Sequence, residues 1–287
     1  MWKTDDEHGP FGLSKLSPPS DAQTEVLDPY YQQTVDFGGR EYQRYAIENG
    51  AYFVPVDEDE EERLRLMHNV FNLLFEGTLI FPPIRNPRRI LDCGFGTASW
   101  AVDVAQAYPN CVVNGIDISP LMAPEELPEN VVLDVDDLNR EGLSFERDTF
   151  DLVHSRMVAG GIHADRWLLY LRDIRHVLQP GGWCQMIEIY FNAQSDNGTL
   201  TENHALRQWS SRYLQSMTPY KDPRSALNLA NLMTEAGYTD VRTVVYRLPM
   251  SAWSSDHREY AIGAANRDNI RRLLVSHAMY PFTTRLG

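Results

Sequence analysis

The chain has 287 residues, 43% of them hydrophobic, and a formal net charge of −14 from 26 basic and 40 acidic side chains. That length suits one large domain or a domain with a cap, and the composition excludes a disordered chain. The acidity argues against nucleic-acid partners, whose phosphates need a basic face. Of the 26 basic residues only Lys3, Lys15 and Lys221 are lysines, a bias toward fixed, forked arginine contacts. The three cysteines, Cys93, Cys111 and Cys184, lack zinc-site spacing, so no metal is expected. Their odd, sparse count fits reduced thiols and an intracellular, cytoplasmic compartment. The first ten residues carry no apolar signal-peptide core, and no uncharged apolar run reaches the roughly 18 residues of a membrane span.

In chain order, residues 1–38 mix prolines and glycines with polar residues and read as a mobile tail. Residues 39–88 read as a helical lid segment: a tyrosine-rich stretch with Tyr42, Tyr45 and Tyr52, then a helix over 57–75. Asp57 and Glu60 form a capping-box pattern there, and the acidic run 57–62 reads as a solvated helix start. Leu64, Met67, Phe71 and Leu74 supply its apolar stripe.

Residues 89–250 alternate strands with helices. Strands are expected at 90–93, 111–116, 131–135, 149–155 and 183–190. After the glycine turn, Trp100, Ala101, Val104, Ala105 and Tyr108 repeat at helical spacing. Another helix, capped by Asp165, is stopped by Pro180-Gly181-Gly182. A helical insertion occupies about 192–220, a helix runs from Asp222-Pro223 to Gly237, and Val241–Leu248 alternates as a sixth strand. Residues 251–287 form a C-terminal helical segment, with a polar helix near 256–277. The fold class is α/β: a Rossmann-like, doubly wound, mostly parallel sheet with helices on both faces and a helical lid.

The chemistry gathers at the carboxyl ends of these strands. Gly94-Phe95-Gly96 after the first strand lets a ligand approach the backbone. A dinucleotide fold wants a third small residue where this chain has Ser99. Asp92, two residues before the first glycine, repels phosphate and suits a cationic ligand such as S-adenosylmethionine. Asp117 closes the second strand 21 residues after Gly96, where a carboxylate accepts from ribose hydroxyls. NAD and S-adenosylmethionine folds share that acid. Asp136 and Asp137 follow the third strand as an adenine-amino acceptor or, equally, as an Asx turn.

Taken in order, LDCGFGTASW, NGIDIS, VDDL, FDLVHSRMVAG and VLQPGGWCQMIEI resemble class I S-adenosylmethionine-dependent methyltransferases. More narrowly, with REYQRYAIENGAYFVPVDEDEEERLRLMHNVF upstream and LMTEAGYTDVRTVVYRLPMSAW downstream, the chain is similar to the fungal LaeA-like (UMTA) group over roughly residues 38–287. The resemblance implies that S-adenosylmethionine is the cofactor and S-adenosylhomocysteine the product. It implies that Asp92, Gly94, Gly96 and Thr97 line the methionine part. Asp117 would hold the ribose, with Ile118 against adenine. Asp137 would take the adenine amino group, with Asp136 and Leu138 adjacent. Ser155 and Arg156 would stand beside the transferring methyl, and Tyr45 and Tyr52 would be lid residues. His68 matches a histidine of the group's leading helix without a stated role. Ala98 stands where the glycine loop usually has its third glycine, which helical dihedrals would accommodate. Related sequences continue past FTTRLG into another helix and a last antiparallel strand, so the sixth strand is expected as an exposed edge.

For proton transfer, His163 and Glu188 are the catalytic candidates. His163 reads alternatively as a solvated helix-start histidine, and Glu188 as a buried, hydrogen-bonded acid. His154 reads as a core histidine. Arg156 would orient an anionic acceptor or hold a structural carboxylate. The expected activity is methyl transfer to a small-molecule acceptor of fungal secondary metabolism. The alternatives are a regulatory protein that methylates or binds a protein partner, and a cofactor-binding scaffold without methyl transfer.

Overall fold

The computed structural model describes residues 27–286. The tail expected over 1–38 therefore lies outside the described residues up to 26, but residues 27–38 are part of the fold. A 3-10 turn (Pro29–Gln32) leads into a hairpin of β1 (Thr34–Phe37) and β2 (Arg40–Gln43). Gly38 and Gly39 both have positive φ, as a tight two-residue hairpin turn requires. The lid segment is thus part strand. α1 (Arg44–Glu48) continues directly from the hairpin.

α2 (Glu58–Leu74) starts where the capping pattern places it: the Asp57 side chain accepts from the Glu60 backbone N–H at 3.1 Å. The acidic run is not all solvated. The Glu60 carboxylate pairs with Arg63 at 2.7 Å, both side chains 1% exposed, and Arg63 donates to Asn269 at 3.3 Å. The partner surface is α7 (His257–Arg285), longer than expected, which buries Asn266, Asn269, Ser276 and His277. A carboxylate enters that interface only because Arg63 accompanies it.

The central sheet contains β3 (Arg89–Cys93), β4 (Val112–Asp117), β5 (Val131–Val135), β6 (Phe150–Arg156) and β7 (Leu178–Ile187) in the order β5-β4-β3-β6-β7. All four pairings are parallel. Period-two alternation divides the core. Ile90, Val113 and Leu152 face α3 (Ser99–Ala107) with Trp100 and Val104. Leu91 and Val153 face α4 (Trp167–Val177) with Tyr170 and Ile174, and Phe150 joins that side because a register shift between it and Leu152 interrupts the alternation. Helices on opposite faces flank β3, and the crevice at this switch point is where such sheets bind ligands.

Several local expectations change. β7 begins at Leu178, so the Pro-Gly-Gly break lies inside it as a register shift against β6. α4 is capped by Arg166, not Asp165, and His163 lies before the helix in a bridge with Lys221. α5 (Ala205–Met217) follows, but the next helix starts late, as a 3-10 turn (Ser225–Leu227) and then α6 (Leu229–Glu235). Residues 241–248 form no strand. Val244 and Val245 are exposed, and Tyr246 packs edge-on against Phe75 at 5.1 Å. Alternation alone does not make a strand without a ladder partner, and none of the described residues pairs with this segment. All three cysteines are free thiols.

Candidate active site

The glycine loop is built by three consecutive alternate positions with left-handed backbone: Gly94 (φ +78), Gly96 (φ +56) and Ala98 (φ +54). A Cβ at Gly94 would meet Val158 Cγ1 at 2.7 Å, so only glycine fits under that side chain. Ala98 does not have the helical dihedrals expected of it. It caps α3 in the αL region and is fully buried. The Thr97 and Ser99 hydroxyls lie 2.8 Å apart.

The acids line the crevice in sequence order. Asp92 is 3% exposed, and burial, with the nearby Asp117 adding and Arg156 opposing, pushes its carboxyl up to about 7. Asp117 accepts from the Gly96 N–H at 2.9 Å and the Ser119 N–H at 3.0 Å; burial raises it and these N–H groups oppose the rise. Each of its oxygens keeps a second lone pair.

Asp136 and Asp137 differ in their hydrogen bonds. Asp137 Oδ1 accepts from both the backbone N–H and the side-chain amide of Asn139, at 2.9 and 3.0 Å, and Oδ2 accepts from the Tyr45 hydroxyl at 3.1 Å. That is the Asx turn, completed by a lid residue. Asp136 Oδ1 accepts from the Asp137 N–H at 2.8 Å, while its Oδ2 is buried without a partner. Leu138 packs in the core, and its carbonyl accepts from Arg166. The Ile118 carbonyl accepts from Gln43 at 2.8 Å, tying the hairpin to the loop after β4.

The lid closes over the opposite wall. Tyr45 packs against Tyr31, centroids 4.9 Å apart, and Tyr52 lies over Gly160 and Gly161. Burial first, then the Glu60 charge, holds the Tyr52 phenol far above its ordinary value. Lys221, absent from the sequence-based site, secures this closure. It is 1% exposed, and its Nζ donates to the Ala51 carbonyl at 2.7 Å and the Gly161 carbonyl at 2.8 Å. Burial pushes it down to about 7. Its only sequence signal was rarity.

At the end of β6, Ser155 is fully buried and its hydroxyl meets Tyr170 at 2.9 Å, turned into the core rather than toward the crevice. Arg156 does face the crevice. It lines a small, partly open cavity of about 50 Å³ with Leu64, Met67, His68, Gly94 and Thr97. His154 is a core residue, stacked on Trp100 at 3.7 Å and 3.1 Å from Gln185.

Glu188 lies just past β7. Its Oε1 accepts from the Val158 and Ala159 N–H groups at 2.8 and 3.2 Å, its Oε2 is buried without a partner, and burial pushes it up to about 8. His163 is differently placed. Its Nε2 lies 3.2 Å from the Gly50 carbonyl and its backbone N–H donates to Asn139, so it helps seat the lid turn. Burial lowers its pKa.

Glycines and carboxylates thus gather at the carboxyl ends of the parallel strands, where α/β sheets bind ligands. A methyltransferase-domain family model matches residues 66–243. The chain is 32% identical over 263 residues to the secondary metabolism regulator laeA of Aspergillus flavus, covering 89% of this chain and 67% of that protein. It is 30% identical to the Aspergillus niger laeA regulator, covering 97% and 71%. It is 29% identical to the protein-methionine methyltransferase laeA of Emericella nidulans, covering 85% and 65%. The chain belongs to the S-adenosylmethionine-dependent methyltransferase family, within its fungal LaeA-like group. Among the described residues no helix is long and apolar enough to cross a membrane, and no cluster of three metal-ligating side chains is present.

Proposed function

We propose that the chain transfers the methyl group of S-adenosylmethionine to a small-molecule acceptor of fungal secondary metabolism bound beside Glu188. The observation that carries the cofactor part is the unpartnered, buried Asp136 Oδ2 beside a glycine loop of fitting shape. A buried carboxylate oxygen without a donor is costly, and an exocyclic amino group supplies that donor. Asp136 therefore takes the adenine role expected of Asp137. Asp117 accepts from the ribose, Ile118 covers the adenine, and the Gly94–Thr97 turn and Asp92 hold the methionine end. Tyr45 and Tyr52 close over the cofactor and exclude water.

The cofactor supplies an activated methyl on a sulfonium, so the residues of the chain mainly orient the acceptor and manage its proton. As the methyl passes to the acceptor, a side chain beside the acceptor would take up the acceptor's proton. Of the two candidates Glu188 is favoured, because its Oε2 is unpartnered whereas the His163 Nε2 is spent on Gly50. Support for a small acceptor comes from the aromatic cluster of Phe191 with Trp209 and Tyr213 of α5, whose Tyr213 phenol is raised by burial and then by the nearby Glu188 charge.

The name of the Emericella relative favours a second reading, transfer to a protein methionine. Incubating the chain and a fungal cell extract with methyl-tritiated cofactor separates them. Label in solvent-extractable compounds supports the first reading, label in precipitated protein the second, and no transfer by a cofactor-binding chain supports the scaffold.

A further inference from the structure

Apart from the cavity at the glycine loop, an open groove of about 440 Å³ lies where α2, the chain leaving it and α3 meet. Asn72, Gly77, Leu79, Asp103, Gln106 and Ala107 line it. Asn72 belongs to the last turn of α2, and Gln106 and Ala107 to the last turn of α3. Both helices thus bring their carbonyl ends to the groove, where aligned peptide dipoles leave negative potential. Neither helix has a basic residue in its last turn, and no lysine or arginine lines the groove.

Asp103 is the one charged side chain of the groove, 37% exposed. Its only ion-pair contact among the described residues is His68, whose Nε2 lies 2.8 Å from Oδ2. That contact brings no opposing charge. Arg156 stands behind the ring, with Nη2 3.2 Å from His68 Nδ1. Arginine can only donate, so Nδ1 accepts, the proton sits on Nε2 and the imidazole is neutral. Burial first, then the Arg156 charge, lowers the His68 pKa, in keeping with that state. Asn72 also donates to Asp103 Oδ2, at 3.4 Å. The carboxylate is therefore anchored through Oδ2, while its Oδ1 has no hydrogen-bond partner among the described residues.

We propose that this groove docks an arginine side chain of a partner protein, its guanidinium set against Asp103 Oδ1 and the carbonyl ends of α2 and α3. A planar fork of donors matches a carboxylate and neighbouring carbonyls together. The occupant is a side chain carried on a larger partner because the groove is open, whereas a small ligand is held by burying most of its own surface. Leu73 and Phe81, one and two residues beyond Asn72 and Leu79, are 46% and 43% exposed and give a partner chain apolar surface to cover. The formal charge of −14 draws a basic partner toward the chain. None of this depends on the cofactor reading above.

The test titrates the full chain with acetyl-Leu-Arg-Leu-amide and follows backbone and side-chain amide NMR signals. Saturable shifts confined to the α2–α3 groove, at Asn72 to Leu79 and Asp103 to Ala107, are expected. The same peptide with citrulline, which keeps the shape of arginine without its charge, should bind roughly tenfold more weakly. Acetyl-arginine methylamide, which lacks the flanking leucines, should also bind more weakly. Asp103→Asn keeps an oxygen for the His68 N–H but removes the charge, and should cost the arginine peptide roughly tenfold. Ala107→Tyr fills the groove from an exposed position and should weaken binding with the carboxylate intact. Equal binding of the citrulline peptide, shifts spread over the acidic start of α2, or undiminished binding in either variant overturns the proposal. Equal binding of acetyl-arginine methylamide marks a site for a free small cation and overturns the docking of a partner.

Discussion

The Tyr45 hydroxyl donates to Asp137 Oδ2 at 3.1 Å across 92 residues of sequence, joining the lid to the loop after β5. The bond commits Asp137 to closure and leaves Asp136 with the free oxygen. Replacing Asp136 by Ala should therefore abolish discrimination between S-adenosylhomocysteine and its inosine analogue, which lacks the adenine amino group. Asp137→Ala should keep that discrimination. Competition titrations with the two ligands decide the matter; retained discrimination in Asp136→Ala would return the role to Asp137. Tyr45→Phe should weaken cofactor binding by about 1 kcal/mol, the value of one net hydrogen bond.

Lys221 bridges the lid turn at Ala51 and the loop at Gly161. Lys221→Met leaves the Ala51 carbonyl without its donor, at a cost of about 1–3 kcal/mol if it stays buried, while the Gly161 carbonyl keeps the Asn139 amide at 2.9 Å. The expected signature is local. Deuterium uptake over residues 45–54 rises and the cofactor dissociates faster, while β3 and β4 stay protected. Unchanged uptake over the lid would show that the bridge does not hold it.

Glu188 sets a pH dependence of stability. Its folded pKa, about 8, lies above the ordinary carboxylate value of 4.5. The folded chain keeps this proton where the unfolded chain has released it, so the contribution is full below about pH 4.5 and is lost as pH rises toward about 8. Glu188→Gln keeps an oxygen for Val158 and Ala159 but cannot ionise. Its melting temperature should gain on the wild type between pH 5 and pH 8. A constant difference across that range contradicts the assignment. If Glu188 is the base, the same substitution abolishes the rise of methyl transfer with pH through about 8.

Ala98 tests the loop backbone. Ala98→Gly relieves an αL penalty of about 1–2 kcal/mol. The relief is offset by about 0.4–1 kcal/mol of unfolded-chain entropy and about 0.8 kcal/mol of lost methyl burial. The terms nearly cancel, so its stability should stay within about 1 kcal/mol of the wild type. Ala98→Val, β-branched at positive φ and fully buried, should be strongly destabilising. Denaturant titration of the two variants checks both directions, and a tolerated valine would mean that the loop is not held left-handed.

The β3–β7 sheet was legible because each strand is a short apolar run bounded by turn residues, and Val131–Val135 matched its expected limits. The hairpin at 34–43 was missed although Gly38-Gly39 between alternating segments announces it. Its polar residues looked like tail. Val241–Leu248 carried the alternation of a strand but lacks the partner that no local pattern can supply. Within the site, the glycine turn and the acids were legible as residue types at fixed spacings. Which of two adjacent aspartates is free was not, because that depends on Tyr45 and Asn139 arriving from elsewhere. Lys221 and the buried Glu60–Arg63 pair were hidden for the same reason: a charged side chain reads as surface until its partner is placed.

Binding of S-adenosylmethionine through Asp117 and its neighbours is tested most directly by calorimetric titration of the chain and of Asp117→Ala. One saturable site per wild-type chain is expected, with a loss of on the order of 1–3 kcal/mol in the folded variant. No binding by a folded wild-type chain, or equal affinity in Asp117→Ala, would contradict it.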